Sequence, residues 1–374
     1  MGLLDYYRQF EGLSEQEINL GKRRQADERR RHALARVQTL DLSQTTWPAL
    51  PHPYVVNAVT FVARRGLHRY PSQGSAELRS ELAHRHGLGA KRLVVGNGAA
   101  QLISAAIGAL LEPGQELITP WPSYGLYPIA ARRARGSAVP VAGGGVDDLL
   151  AAVTERSRVI ALASPNDPTG ELVMRAELER LLAAVPERVA VLLDEALVDF
   201  ADAQPTDAAV ELLEDHPRLI VFRSFSKAWG LAGLRCGYAM GGPGSEQLLD
   251  AIEPDLGINE LAQAGVLESL RSGASEVARR ARAVGAERTM LRSALRARGL
   301  YVEPTQASFL WAAHPQLDGT QLADRLARAG VLVAAGAALG APERVRISVR
   351  DSAARERLLS ALDTVASDDL SQGR

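Results

Sequence analysis

Short apolar segments alternate with amphipathic segments along most of the chain. Between about residues 55 and 245, apolar runs of strand length are separated by stretches whose apolar positions have helical spacing. The predicted strands include, in order, 93–95, 116–118, 139–141, 159–162, 189–193 and 219–222. Buried strands separated by helices are typical of a mostly parallel sheet that is covered on both faces. Because ligands of such sheets bind at the carboxyl ends of strands, we expect the functional residues there.

The pattern changes after residue 270. A long amphipathic helix is predicted over 277–297, with Gly299 as its stop. Further elements are predicted as a strand at 309–311, a helix at 320–329, a strand at 345–349 and a closing helix at 353–365. The sequence therefore predicts an α/β protein with a large domain, in which helices sandwich a mostly parallel sheet, and a smaller α/β domain. The predicted divisions are an N-terminal arm and linker that is part of the small domain (1–54), the large domain (55–265) and the small C-terminal domain (266–374).

The N-terminal arm carries a charged segment at 14–36. Ser14 and Glu17 are spaced as a capping box, which predicts a helix there. Its basic residues suggest either an anion-binding surface or, because acidic residues are interspersed, a solvated face or an arm of a dimer.

Composition excludes several classes of protein. The chain has 374 residues, a formal net charge of -1 and 46% hydrophobic residues, which is enough for two domains. This charge gives no reason to expect nucleic acid or an anionic membrane as a partner. Cys236 is the single cysteine, so we expect neither an intrachain disulfide nor a multi-cysteine metal site. No apolar run approaches membrane length, and charged residues near the N-terminus do not fit a secretory signal, so we expect a cytoplasmic location.

The most informative segment surrounds Lys227, directly after the predicted strand 219–222. Ser224 and Ser226 lie three residues and one residue before the lysine, and Arg235 lies eight residues after it. A lysine after a strand is usually a solvated loop residue. Two hydroxyls and a spaced arginine suit a different role, in which the amine bonds to the aldehyde of a cofactor that carries a phosphate.

The run SFSKAWGLAGLR at 224–235 resembles the lysine motif of the pyridoxal-phosphate-dependent aminotransferases of fold type I. It is most similar to the histidinol-phosphate aminotransferase group, whose motif reads SK-x-x-GLAGLR-x-GY. The resemblance covers about residues 40 to 365. It implies that Lys227 binds pyridoxal 5'-phosphate covalently and acts as the catalytic base, and that Ser224, Ser226 and Arg235 hold the cofactor phosphate.

Two further segments match this family. Asp194 ends the predicted strand 189–193 in the run DEALVDF, similar to the family's DEA-x-x-x-F, which implies a carboxylate paired with the pyridine nitrogen of the cofactor. A helix cap would be the ordinary role of such an aspartate. The run GNGAAQ at 96–101 opens a predicted helix, and the resemblance implies that the amides of Ala99 and Ala100 bind the phosphate.

Two tyrosines and an arginine complete the predicted site. Tyr124, in PWPSY, matches the family tyrosine that stacks on the pyridine ring, although a surface aromatic residue is the alternative. Tyr70, in RYP, matches the tyrosine that reaches the phosphate of a partner subunit, which implies a homodimer with shared sites. Arg346, in VRISV, matches the arginine that grips the substrate carboxylate, and a surface ion pair is the alternative.

The sequence departs from the family pattern at two positions near the cofactor. Asp167 stands where the family has asparagine before PTG, and Leu197 replaces the tyrosine of DEAY. Leu197 cannot donate a hydrogen bond to the cofactor's ring hydroxyl, and an ionised Asp167 can only accept one. Asn166 could compensate by shifting toward the ring.

Two departures concern the substrate. Ala334 replaces the arginine with which histidinol-phosphate enzymes bind the phosphate of their substrate, and the segment TTWP at 45–48 replaces their NENP. Loss of that cation makes a phosphorylated substrate unfavourable. Trp47 could favour an apolar or aromatic amino acid at the entrance, or could equally be a packing residue.

The predicted function is amino-group transfer between an L-amino acid or amine and a 2-oxo acid. One alternative keeps the cofactor but changes the reaction to decarboxylation or other diverted chemistry. Another alternative is a non-catalytic paralogue that only binds the cofactor. Such a protein would not need Arg346 to bind a substrate carboxylate, so the presence of this arginine argues against it.

Overall fold

The computed structural model of the protein describes residues 39–372, and the predicted helix at 14–36 lies outside them. In chain order, the strands are β1 (Leu40–Asp41), β2 (Leu93–Gly96), β3 (Glu116–Trp121), β4 (Ser137–Ala142), β5 (Ser157–Ala163), β6 (Ala190–Asp194), β7 (Leu219–Ser224), β8 (Gly237–Gly241), β9 (Tyr301–Val302), β10 (Phe309–Ala313), β11 (Val331–Leu332), β12 (Ala334–Ala335) and β13 (Arg344–Ser348).

The α-helices between and after these strands are α1 (Pro53–Gly66), α2 (Ala76–Arg85), α3 (Ala99–Leu110), α4 (Leu126–Arg133), α5 (Val146–Ala151), α6 (Arg175–Ala184), α7 (Glu246–Ile252), α8 (Glu260–Ser272), α9 (Ala274–Ala297), α10 (Gly319–Arg328) and α11 (Ser352–Gln372).

The large sheet has seven strands in the order β2-β8-β7-β6-β5-β3-β4. Strands β4, β3, β5, β6 and β7 run parallel to one another, whereas β8 is antiparallel to both of its neighbours. The predicted strands are all present, and the prediction of a mostly parallel sheet is confirmed. The sequence analysis missed β8, because its run GYAMG is short and flanked by glycines.

Helices cover both faces of this sheet. Val191 and Leu192 are successive residues of β6 and point to opposite faces, where each is buried. Val191 belongs to a core that includes Leu82 of α2 and Leu181 of α6. Leu192 belongs to a second core that α3, α4 and α7 cover. The five parallel strands therefore present their carboxyl ends at one edge of a three-layer unit.

A smaller unit follows. Its antiparallel sheet has the order β12-β13-β10-β9, and α9, α10 and α11 pack into its own hydrophobic core. Asp318 and Gln321 form a capping box at the start of α10, and Gly299, with φ +81°, follows the end of α9 as predicted. Strand β1 pairs in parallel with β11, so the segment that begins at Leu40 joins this smaller unit.

The predicted boundary after residue 265 falls inside α8, which is a continuous helix. Val266 and Leu270 of α8 pack in the core of the large unit, whereas Val277 of α9 packs in the core of the smaller one. We therefore propose that the boundary between the two domains lies near Gly273, between the two helices. No helix within residues 39–372 has the length and apolar character needed to cross a membrane.

Candidate active site

A cleft of about 790 Å³, counting space that is open to solvent, lies at the carboxyl ends of β5, β6 and β7. Nine residues that the sequence analysis assigned to the site line it: Ala99, Ala100, Tyr124, Asp167, Asp194, Ser224, Ser226, Lys227 and Arg235. Parallel strands bring them together because each strand places its next loop at the same edge of the sheet.

Lys227 lies in the loop that follows β7, with its side chain directed into the cleft. Its Nζ donates a hydrogen bond to Oγ1 of Thr45. Burial lowers the pKa of the Lys227 amine, while the carboxylates of Asp167 and Asp194 raise it. A partly desolvated amine is closer to the neutral form that attacks a carbonyl carbon.

Asp194 is the last residue of β6 and is almost fully buried. Its Oδ1 accepts a hydrogen bond from the amide of Ala196 (3.0 Å), and its Oδ2 accepts one from the hydroxyl of Tyr127 (3.2 Å). Burial raises the pKa of the Asp194 carboxyl to about 6, although both hydrogen bonds and the charge of Lys227 act in the opposite direction. A buried carboxylate with this pKa favours a cationic partner, as a protonated pyridine nitrogen would be.

One part of the cleft lies between the start of α3 and the segment around Lys227 that carries Ser224, Ser226 and Arg235. The first amides of α3, those of Ala99 and Ala100, have no helical acceptor and can bind an anion. Arg235 donates from Nη1 to Oγ of Ser226 (3.3 Å), and the amide of Ser226 donates to Oγ of Ser224 (3.1 Å). The hydroxyls and the guanidinium are thus held together opposite the helix start.

The absence of a side chain at Gly98 keeps this part of the cleft open. A Cβ atom at Gly98 would lie 2.5 Å from Nη2 of Arg235, and its φ of +87° is one that other residues rarely adopt. Backbone amides and guanidinium can therefore approach one small anion from two sides.

Arg346, on β13, does not itself line the cleft but contacts a residue that does. Its Nη1 donates to Oδ1 of Asp167, and its Nη2 donates to the carbonyl oxygen of Ser43 (3.1 Å). Its Cζ lies 5.4 Å from the centre of the Phe309 ring. Its Nε is buried and has no hydrogen-bond partner among residues 39–365. A guanidinium in this arrangement is fixed in place and retains a free donor.

The two residues that depart from the family pattern both line the cleft. Leu197 is buried against the core of the smaller unit, and Asp167 is engaged by Arg346. Asn166 cannot take over their role in this arrangement, because its amide group donates to the carbonyl of Pro122 (3.0 Å) and accepts from Ser123 (2.7 Å). The structure therefore shows no compensation by Asn166 for the changes at Asp167 and Leu197.

Comparison with known proteins gives a consistent answer. A family model described as aminotransferase class I and II matches residues 38–362. The chain is 36% identical to an aromatic amino acid aminotransferase of Corynebacterium efficiens, over 87% of this chain and 93% of that protein. A protein of the same name from Streptomyces coelicolor is 37% identical, over 85% of this chain and 88% of its own. The chain belongs to the class I and II aminotransferase family.

Solved structures of this family share the fold. Histidinol-phosphate aminotransferase from Sinorhizobium meliloti, in complex with pyridoxal-5'-phosphate, has a TM-score of 0.80 at 25% identity, over 91% of this chain and 94% of that chain. Aspartate aminotransferase from Thermus thermophilus with maleate has a TM-score of 0.77 at 24% identity, over 95% and 99% of the two chains, and supports the fold alone. The fold-type-I architecture predicted from the sequence is confirmed.

Pyridoxal 5'-phosphate, the cofactor of this aminotransferase, fits the residues that are present. The part of the cleft at Gly98 suits its phosphate, the buried carboxylate of Asp194 suits its ring nitrogen, and the amine of Lys227 suits its aldehyde. Tyr124 lies beside them, with its ring edge-on to that of Tyr127 at 5.7 Å. The comparisons give no support to the decarboxylase alternative.

Besides Arg346, two other residues of the predicted site do not line the cleft. Trp47 packs against the core of the smaller unit, with the guanidinium of Arg280 4.7 Å above its ring, and this position agrees with the packing alternative. Tyr70 is 86% exposed and does not line the cleft of its own chain. Its predicted contact with a partner's phosphate therefore stays a prediction.

Sequence reasoning missed three residues of the aminotransferase site. Thr45 accepts a hydrogen bond from Lys227, Thr46 lines the cleft, and Tyr127 hydrogen-bonds to Asp194. Tyr127 follows Tyr124 by three residues, a spacing that could have indicated a pair of rings on the same side. The sequence marked the run TTWP at 45–48 but did not indicate the contact of Thr45 with Lys227, because this contact depends on how the N-terminal segment crosses the smaller sheet.

Proposed function

We propose that this aminotransferase transfers the amino group of an aromatic L-amino acid to a 2-oxo acid. The observation that carries the proposal is the distribution of charge in the cleft. Among the described residues that line it, the only cations are Lys227 and Arg235, and Arg346 stands behind Asp167. The cofactor aldehyde would engage Lys227, the cofactor phosphate would engage Arg235 and the substrate carboxylate would engage Arg346. No cation among the described residues of the cleft would then remain to bind an anionic side chain of the substrate.

The position of Ala334 supports a substrate without a phosphate. Ala334 pairs with Arg346 across the β12–β13 ladder, so a longer side chain here would stand beside the proposed carboxylate site. A methyl group at this place offers no charge to a phosphorylated donor. The names of the two relatives described above point in the same direction, toward an aromatic side chain.

The roles of the site residues follow from their geometry and are part of the proposal. When bound, pyridoxal 5'-phosphate supplies an electron sink for the α carbon of the donor. Asp194 stabilises positive charge at the ring nitrogen, while Ser224, Ser226, Arg235 and the amides of Ala99 and Ala100 hold the phosphate.

The same proposal assigns the proton transfer and the orientation of the donor. Tyr124 packs against the ring, and Arg346 orients the carboxylate of the donor. Lys227 takes the proton from the α carbon of the donor and later returns one.

We further propose that the enzyme is a homodimer. Within the stretch 50–70, large apolar side chains are exposed at several positions: Leu50, Tyr54, Val56, Phe61, Leu67 and Tyr70. Exposed apolar surface of this extent is typical of a protein interface. A second copy on this surface would cover it and give Tyr70 access to the other subunit's phosphate. The cytoplasm remains the proposed location.

An absorbance screen of single half-reactions tests the proposed donor class. Purified enzyme with bound cofactor is mixed with L-phenylalanine, L-tyrosine and L-tryptophan, and separately with L-aspartate and histidinol phosphate. We expect the aromatic donors to remove the absorbance of the lysine-bound cofactor most rapidly, and a Lys227→Ala variant to show no such change. Faster reaction with L-aspartate or histidinol phosphate would contradict the proposal.

A further inference from the structure

The segment Leu42–Pro48, here called the strap, crosses from the smaller sheet to the catalytic lysine. Thr45 lies near its middle, and its hydroxyl receives the hydrogen bond from Nζ of Lys227. Among the residues that the structure describes, no other acceptor forms a hydrogen bond with this amine. The hydrogen-bond partner of the lysine therefore comes from outside the lysine motif at 224–235, in the segment where this chain has TTWP in place of the family's NENP.

The strap is fixed to the smaller sheet by contacts that do not involve the lysine. The carbonyl of Leu42 accepts from the amide of Ser348 (2.9 Å), and the carbonyl of Gln44 accepts from the hydroxyl of Ser348 (2.6 Å). The carbonyl of Ser43 accepts from Nη2 of Arg346 (3.1 Å). The carbonyls of three consecutive residues are thus hydrogen-bonded to β13, so the position of Thr45 does not depend on its contact with Lys227.

A hydroxyl suits this place because the lysine changes its protonation state during the reaction. The charged groups that face the amine are Asp167 and Asp194, which raise its pKa, and Arg346 and Arg235, which lower it. A carboxylate can only accept a hydrogen bond, so it holds an ammonium group but not a free amine lone pair. The Thr45 hydroxyl can accept from the ammonium form and donate to the neutral form.

We propose that Thr45 is a positioning residue, which holds the Lys227 amine in both protonation states while the lysine carries a proton to and from the α carbon. The proposal goes beyond the assigned amino transfer, and it depends on that reaction but not on which donor the enzyme uses.

Substitutions of Thr45 test the effect on turnover. Thr45→Val keeps the shape of the side chain but removes the hydroxyl, and we expect kcat to fall roughly tenfold with KM changed much less. The isotope effect with an α-deuterated donor should rise, because proton transfer becomes slower relative to other steps. Thr45→Ser should restore most of kcat. Gln44→Ala is the strap control, since its exposed side chain is dispensable and its carbonyl remains.

A second measurement uses the cofactor-free protein and needs no donor. Lys227 is labelled with trinitrobenzenesulfonate over a range of pH, and the modified peptide is quantified by mass spectrometry. Because a hydrogen bond to the ammonium form is the stronger one, Thr45→Val should shift the labelling curve to lower pH by about one unit, whereas Thr45→Ser should not.

The two measurements separate this proposal from that of an aromatic donor. If no aromatic donor reacts, the labelling curves still decide the role of Thr45. The proposal would be overturned if the Thr45→Val variant had the same labelling curve as the wild type. It would also be overturned if Thr45→Ser failed to restore the lost kcat, or if the isotope effect did not change when kcat fell. A lower kcat with a raised isotope effect, restored by serine, would support it.

Discussion

The carboxylate of Asp167 is paired with the guanidinium of Arg346, and both side chains are largely buried. Asp167 lies in the loop after β5 of the large sheet and Arg346 lies on β13 of the smaller sheet, so the pair links the two sheets. The family pattern has a neutral asparagine in place of Asp167. In this chain, the arginine proposed to bind the substrate carboxylate already contacts a carboxylate of the protein itself.

Replacing Asp167 with asparagine should therefore improve the binding of amino acid donors. The Asp167→Asn variant removes a carboxylate that competes with the donor's carboxylate for Arg346 and repels it. We therefore expect KM for amino acid donors to fall about tenfold or more. 2-Phenylethylamine, which has no carboxylate, is the matched probe, and its KM should change much less. Equal changes for the amine and the amino acid would show that Asp167 does not compete for Arg346.

Gly98 should be essential for cofactor binding but not for folding. In a Gly98→Ala variant, the new Cβ would meet Nη2 of Arg235 at 2.5 Å in a backbone conformation that alanine rarely adopts. We expect the affinity for pyridoxal 5'-phosphate to fall at least about tenfold, because the guanidinium must leave the phosphate site. Titration of the cofactor-free protein by absorbance measures this, and an unchanged far-ultraviolet circular dichroism spectrum shows that the fold is kept. Tight cofactor binding by this variant would contradict the assigned phosphate site.

The sequence predicted the large sheet well, because its strands are continuous apolar runs and its functional residues follow strand ends. Lys227, Asp194 and Arg235 could be located in this way, since each lies within a local motif. The contact between Lys227 and Thr45 could not, because it depends on hydrogen bonds that fix the N-terminal segment to β13. The same limit applies to the proposed boundary near Gly273, because the helical pattern of the sequence continues there while α8 and α9 pack in different cores.

The cofactor-free protein should gain stability when Asp194 is replaced by asparagine. The pKa of Asp194 is about 6 in the folded protein, above its ordinary value of 3.8, so the unfolded chain releases this proton first as pH rises. The wild type therefore loses stability between about pH 4 and pH 6 and stays at the lower level above that range. Asp194→Asn lacks this loss, and we expect it to be more stable at pH 8 by about 3 kcal/mol.

Urea unfolding of both cofactor-free proteins at a series of pH values measures this difference. It should be small near pH 4.5, grow through pH 6 and then remain constant. The same variant should bind pyridoxal 5'-phosphate more weakly, because it offers no negative charge to the ring nitrogen. A stability difference that does not depend on pH would show that Asp194 is not the group that titrates.

Tyr70 should act on the active site of the other subunit if the proposed homodimer forms. Lys227→Ala and Tyr70→Ala variants are each expected to have little activity as pure proteins. In a hybrid dimer, the subunit that retains Lys227 receives Tyr70 from the Lys227→Ala subunit, so one of the two sites is complete. After subunits are mixed in equal amounts and allowed to exchange, statistical pairing makes half of the dimers hybrids, and we expect about one quarter of wild-type activity. Because Tyr70 is 86% exposed in the single chain, it is free to make such a contact. A mixture that stays as inactive as its components, although mass spectrometry shows hybrids, would exclude a role for Tyr70 across the interface.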